Sequence, residues 1–241
     1  MGPAGSLRNL AAANVENQVK KESLLALWHL GCGNAENQTA IAAAGGIHPH
    51  VAFAAVGGIE LLVYLARSGN QWQKTWAAGS LRHLAAANAE NKIAIAAAAG
   101  IEALVALVRE GTPEAKEVSA SALLNLACDN KENKTAIATA GGIEVLVALA
   151  REGLPEQQAE AAGALRSIAA GNAENKAAIV AAGAIEPLEA LFREGTRRQK
   201  THAACALQNL AWNMVAGGFE PLVSLSPEGT PDQKLTAPTA L

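Results

Sequence analysis

Across residues 88–127 the apolar positions fall into helical stripes, each opened and closed by a polar or glycine signal. Asn88 is placed to cap the free amides of a first helix, Glu90 lies near the positive end of its dipole, and Ala99-Gly100 ends it. A second helix is predicted over 101–109, with Ile101, Leu104, Val105 and Val108 on one stripe and Gly111 as its stop. Thr112-Pro113-Glu114 opens a third with a hydroxyl cap, a proline at the tolerated first position and an acid in the first turn. Its stripe includes Val118, Ala122, Leu123 and Leu126. Helices this short cannot each bury a face alone, so the stacking of successive units must supply the core.

The pattern recurs. Asn-x-Glu-Asn starts at Asn14, Asn34, Asn88, Asn130 and Asn172, and Ile59, Ile101, Ile143 and Ile185 follow one another at steps of 42 residues, the spacing of helical solenoids. The same register makes Leu81, Leu123, Leu165 and Leu207 equivalent buried positions and puts Gly100, Gly142 and Gly183 at turns between first and second helices. Periodicity alone leaves the HEAT repeat open as an alternative.

The residues themselves resemble the armadillo family: Asn-x-Glu-Asn-Lys-x-x-Ile at 130–137, Gly-Ile-Glu-x-Leu-Val-x-Leu at 142–149 and Ala-x-x-Ala-Leu-x-Asn-Leu-Ala at 203–211. The resemblance covers nearly the whole chain. It implies an all-α fold, a right-handed solenoid of three-helix repeats whose third helices line a concave groove for extended peptides.

The register breaks in three places. Asn14 to Asn34 is too short for a repeat, Asn34 to Asn88 carries an insertion bracketed by Gly-Gly-Ile at Gly45 and Gly57, and Ile185 to Phe219 is again short. The expected organisation is therefore one solenoid over 1–241. It comprises an irregular stretch 1–58, three regular repeats over 59–184, a shortened repeat at 185–218 and a partial one at 219–241. Solenoids normally carry polar terminal units, and neither end resembles one, so a fragmentary array is expected.

Half of the residues are hydrophobic but only 3% are aromatic, so Ala, Leu, Ile and Val must fill the interior. A net charge of −3 and a pI near 6.0 give no positive field for nucleic acid or anionic membranes. Cys32, Cys128 and Cys205 have no metal or redox spacing and are expected to be reduced and mostly buried. Neither signal-peptide regions nor a clear transit pattern opens the chain, and no apolar run has the length of a membrane span, so a soluble cytoplasmic or nuclear monomer is expected. His48-Pro49-His50 lacks a third ligand at metal spacing, and no nucleophile-elbow, zincin or Walker-type motif occurs. The residues imply no metal, no cofactor and no enzyme.

The resemblance implies where a partner would bind. In the family an Asn near the end of each third helix bonds the ligand backbone, and the matching positions hold Asn9, His29, His83, Asn125, Ser167 and Asn209. Four residues earlier the family often has Trp, whereas this chain has Gly5, Leu25, Gly79, Ser121, Gly163 and Cys205; losing that wall disfavours Lys-rich ligands. Each of the three glycines is followed at i+3 by an arginine, Arg8, Arg82 or Arg166, whose guanidinium is expected to fold across the gap. Trp72 and Trp76 are expected in the core. These features predict a protein partner, an extended and acidic peptide segment. The alternative, an RNA-reading helical solenoid, would need a basic face and regular stacking residues.

Overall fold

A computed structural model describes residues 58–87 and 89–214 of the chain, and all regular structure among them is helical. The helices are α1 (Gly58–Ser68), α2 (Gln71–Ala87), α3 (Ala89–Ala97), α4 (Gly100–Glu110), α5 (Pro113–Ala127) and α6 (Lys131–Thr139). They continue as α7 (Gly142–Glu152), α8 (Pro155–Ala169), α9 (Ala173–Ala181), α10 (Ile185–Glu194) and α11 (Arg197–Met214). First, second and third helices follow in strict rotation, and the third helices α2, α5, α8 and α11 pack side by side as the main seam of the stack. Asn9, His29, Arg8, the insertion, Cys32 and the cap at Asn88 lie outside the described residues, as does the partial repeat at 219–241.

Local signals set the helix limits. Thr112 Oγ1 accepts the Ala115 N–H at 3.2 Å, and Asn130 and Asn172 accept from the N–H of Asn133 and Asn175 at 2.8 and 3.0 Å. The turn before each second helix needs one left-handed residue, and Ala99, Gly141 and Gly183 supply it with φ of 59°, 76° and 76°. Gly100 and Gly142 therefore open their second helices instead of occupying the turn. They do so because a Cβ there would lie 2.6 or 2.5 Å from the Cγ2 of Ile95 or Ile137. Where Ala184 takes that place, the helix starts one residue later, at Ile185.

The core is one continuous aliphatic column. Leu81, Leu123 and Leu165 have relative exposures of 0, 0 and 1%, while Leu207, expected to be equivalent, is only half-buried at the edge of the core. Cys128 is exposed, contrary to expectation, since it caps α5 beyond the apolar stripe; Cys205 is half-buried.

Three side-chain ties fix the stack, two between successive units and one within a unit. The second Asn of each motif is buried: Asn133 Nδ2 donates to the carbonyls of Leu126 and Lys92 at 3.1 and 3.3 Å, and Asn175 Nδ2 to those of Ile168 and Lys134 at 3.4 and 3.1 Å. The lysine after it closes the end of its own third helix, Lys92 on the Cys128 carbonyl and Lys134 on that of Ala170, both at 2.6 Å. From the second helices, Arg67 and Arg151 donate to the turn carbonyls of Ala99 and Gly183 in the following unit at 2.9 and 3.4 Å.

Three stability changes follow, each measurable from urea denaturation. Leu123→Ala should cost about 2–5 kcal/mol, because the side chain is fully enclosed and leaves a cavity. Asn133→Ala should cost about 1–3 kcal/mol by leaving two buried carbonyls short of a donor. Ser119→Ala should instead stabilise by about 1 kcal/mol, since the buried hydroxyl has no hydrogen-bond partner and the same register on α2, α8 and α11 holds Ala77, Ala161 and Ala203. A destabilised Ser119→Ala variant would show that the hydroxyl does have a partner.

Candidate functional site

The row of third helices exposes one face per helix, and neighbouring faces meet at matched register. Asn125 Nδ2 donates to the Arg82 carbonyl on α2 at 3.0 Å, and Asn209 Nδ2 donates to the Arg166 carbonyl on α8 at 3.2 Å. Each amide is thus anchored by one N–H to the preceding third helix, and its chemistry retains a second N–H and an oxygen. At the other two described positions the ladder changes character. His83 Nε2 lies 3.1 Å from Arg82 Nη2, and Ser167 is buried at 7% exposure, packed inside the row and not displayed on it.

The arginines do not fill the gaps left by glycine. Nothing lies within 4 Å of a Cβ built at Gly79, whereas at Gly163 the space is taken by Leu124 Cδ1 at 2.6 Å and the His202 ring at 3.3–3.4 Å. Gly163 is therefore a point of close approach for side chains from both neighbouring helices, and Arg82 and Arg166 are half-buried beside the ladder. The tryptophans also differ from expectation. Trp72 is 61% exposed and stacks on Trp76 with ring centroids 5.6 Å apart, so the pair forms an aromatic ledge at the start of α2.

A group of residues that sequence reasoning passed over lies where α8 meets α11. Glu160, with only 5% of its side chain exposed, forms an ion pair with Arg198, and His202 lies next to them with its Nδ1 buried and without a hydrogen-bond partner. Burial, and then the nearby charges of Arg166 and Arg198, hold the proton affinity of His202 below the ordinary imidazole value of 6.5, while Glu160 opposes them. Because that affinity is depressed on folding, its contribution to stability is complete above pH 6.5 and is lost as the pH falls through the folded-state value. The signal in the sequence was a change of type at one register, where Trp76, Val118, Glu160 and His202 follow one another at steps of 42 residues.

Elsewhere the surface offers little chemistry. No three His, Cys, Asp or Glu residues among those described are placed to share a metal ion, and no single described helix is long and apolar enough to cross a membrane.

Comparison with known proteins agrees with this architecture. The family model of the Armadillo/beta-catenin-like repeat matches residues 130–170 and 172–212, which are two consecutive units. The crystal structure of an engineered protein from a structural genomics consortium is 34% identical, with a TM-score of 0.68 over 81% of this chain and 85% of that one. A second engineered protein is 26% identical, with a TM-score of 0.70 over 80% of this chain and 92% of its own. A designed armadillo repeat protein in complex with the peptide (KR)4 is 23% identical, with a TM-score of 0.68 over 80% of this chain and 94% of its own, a likeness of fold alone. No curated protein matches the chain. The repeated cap-and-tie motif, the rotation of three helices and these matches together establish that the chain belongs to the armadillo repeat family.

Proposed function

We propose that the chain is a protein-interaction scaffold that holds an extended polypeptide against its third-helix row and prefers acidic partners. The observation that carries this reading is the pair Asn125 and Asn209, each fixed by one N–H to the helix before it. An anchored amide is preorganised to bond a second main chain through its remaining donor and acceptor, at little further cost in side-chain entropy. The structure of a designed relative with a bound peptide is consistent with this use of the fold.

The sign of the preference rests on what lies beside the ladder. Arg82 and Arg166 flank it, while the exposed Glu114 and Glu156 lie at the far ends of their helices, ten residues from positions 124 and 166. At about 1.5 Å per helical residue that separation is about 15 Å, so Glu114 and Glu156 oppose the ladder arginines only weakly, and the nearer carboxylate, Glu160, is already paired with Arg198. A backbone seated on the ladder therefore feels the arginines more than the glutamates. The basic peptide named for the designed relative is not the expected ligand here.

Two sets of substitutions separate the contributions, read by fluorescence anisotropy with acidic and neutral extended peptides. Asn125→Ala with Asn209→Ala should weaken both peptides about tenfold or more, because the lost groups bond main chain. Arg82→Glu with Arg166→Glu should slow association of the acidic peptide alone and flatten its salt dependence. If neither pair of changes matters, the partner uses another face; preferential binding of RNA would replace the reading.

A further inference from the structure

The three described seams between third helices are built from different chemistry at the same register. At that register α2 carries Trp76, α5 Val118, α8 Glu160 and α11 His202. Stacking does not need the last arrangement. An enclosed carboxylate carries a desolvation penalty that an apolar residue avoids, and the same register on α2 and α5 holds the apolar Trp76 and Val118. The polar group is also incomplete, because Glu160 is matched by Arg198 while the buried Nδ1 of His202 has no partner. Gly163 admits the imidazole, since a Cβ there would stand 3.3 Å from Nδ1. The neighbouring Arg166 lends its carbonyl to Asn209 and so stands on the ladder itself.

We propose that Arg166, Arg198 and His202 form a carboxylate subsite of the row, taking the side chain of one Glu or Asp of a bound peptide, with His202 acquiring a proton from solvent as the anion arrives. The inference rests on the peptide-binding reading above and adds a residue class at a defined place. The charge count supports it. Glu160 offsets one arginine, so the other arginine and a protonated imidazole leave room for an incoming negative charge. The charged groups acting on His202 are Arg166 and Glu160 from α8 and Arg198 from α11; none comes from α9 or α10, which also pack on α11. With the site empty, burial and two arginines keep the ring neutral. A carboxylate held by those arginines cancels part of their repulsion, so anion binding and proton uptake favour each other.

The test uses the full chain with a Glu-rich octapeptide and its Gln counterpart. The Glu peptide should bind several-fold tighter at pH 5.5 than at pH 7.5, because His202 is protonated more fully in the complex than in the free protein over that interval, and the Gln peptide should show no such change. His202→Gln should remove the pH dependence, and Arg198→Gln should weaken the Glu peptide selectively. On the unsubstituted protein, the His202 Cε1 resonance should titrate at higher pH when the Glu peptide is saturating. This arm does not depend on a variant folding. A Glu-peptide affinity without pH dependence, or a dependence that survives His202→Gln, overturns the subsite while Gln-peptide binding through Asn125 and Asn209 leaves the groove standing. Binding of neither peptide overturns both.

Discussion

The buried carboxamide of the second motif asparagine is the interaction on which the stack depends. Asn133 reaches from the start of α6 to the end of α5 and to α3, so a single side chain fixes the new unit against both the third and the first helix of the one before it. Asn175 repeats the arrangement one unit later. Hydrophobic burial supplies the driving force but little direction, because a column of leucine and alanine tolerates sliding. Buried amides penalise a slip: each misplaced unit would leave the carboxamide donor unpaired in the interior and strip both carbonyls of that bond. The lysines on the ends of the third helices and the arginines on the following turns add directional bonds at the two ends of that contact.

This division of labour explains what was legible in the sequence. Caps and stops act within a few residues, so Thr112, Asn130 and Asn172 could be assigned from their neighbours alone, and the three buried leucines followed from period and stripe. What lay out of reach depended on contacts about 40 residues away. The second asparagine looks like part of a cap until the carbonyl of Lys92 is seen beneath Asn133. The gap at Gly163 belongs to Leu124 and His202 from adjacent helices, not to Arg166 on its own helix, because a side chain three residues along the same helix competes poorly with neighbours pressed against it on both sides. Trp72 was misread for a related reason: its spacing to Trp76 suits a core stripe, but it occupies a register that is exposed in all four third helices, at Trp72, Glu114, Glu156 and Arg198.

Of the proposed ladder, Asn125 and Asn209 occupy the same anchored position, and their common chemistry was visible in the repeat. Ser167 shares the register but not the placement, since its short side chain stays below the surface that the longer amides reach. His83 keeps the position and pairs with Arg82. The row is therefore uneven, and its unevenness follows from side-chain length more than from backbone position.

Because the asparagine, lysine and leucine positions carry the stacking, the position shared by Trp76, Val118, Glu160 and His202 is free to differ from unit to unit. A repeat protein whose backbone is held by one set of residues can vary another set without losing its fold, since each unit touches only its neighbours. Here the variation has a direction. The α2 end of the described row carries an aromatic pair in which Trp72 is exposed and Trp76 half-buried, and the α11 end carries an ion pair whose carboxylate is enclosed. On the peptide-binding reading proposed above, a chain whose side chains reach both groups would meet aromatic surface at one end and charge at the other, and reversing it would set its acidic residues against tryptophan and its apolar residues against Arg166 and Arg198. Burying charge without a partner and covering arginines with hydrocarbon are both unfavourable. On the proposed peptide-binding reading, such a row would favour one orientation of a peptide whose apolar and acidic residues lie at opposite ends, a discrimination that a uniform array of identical units could not make.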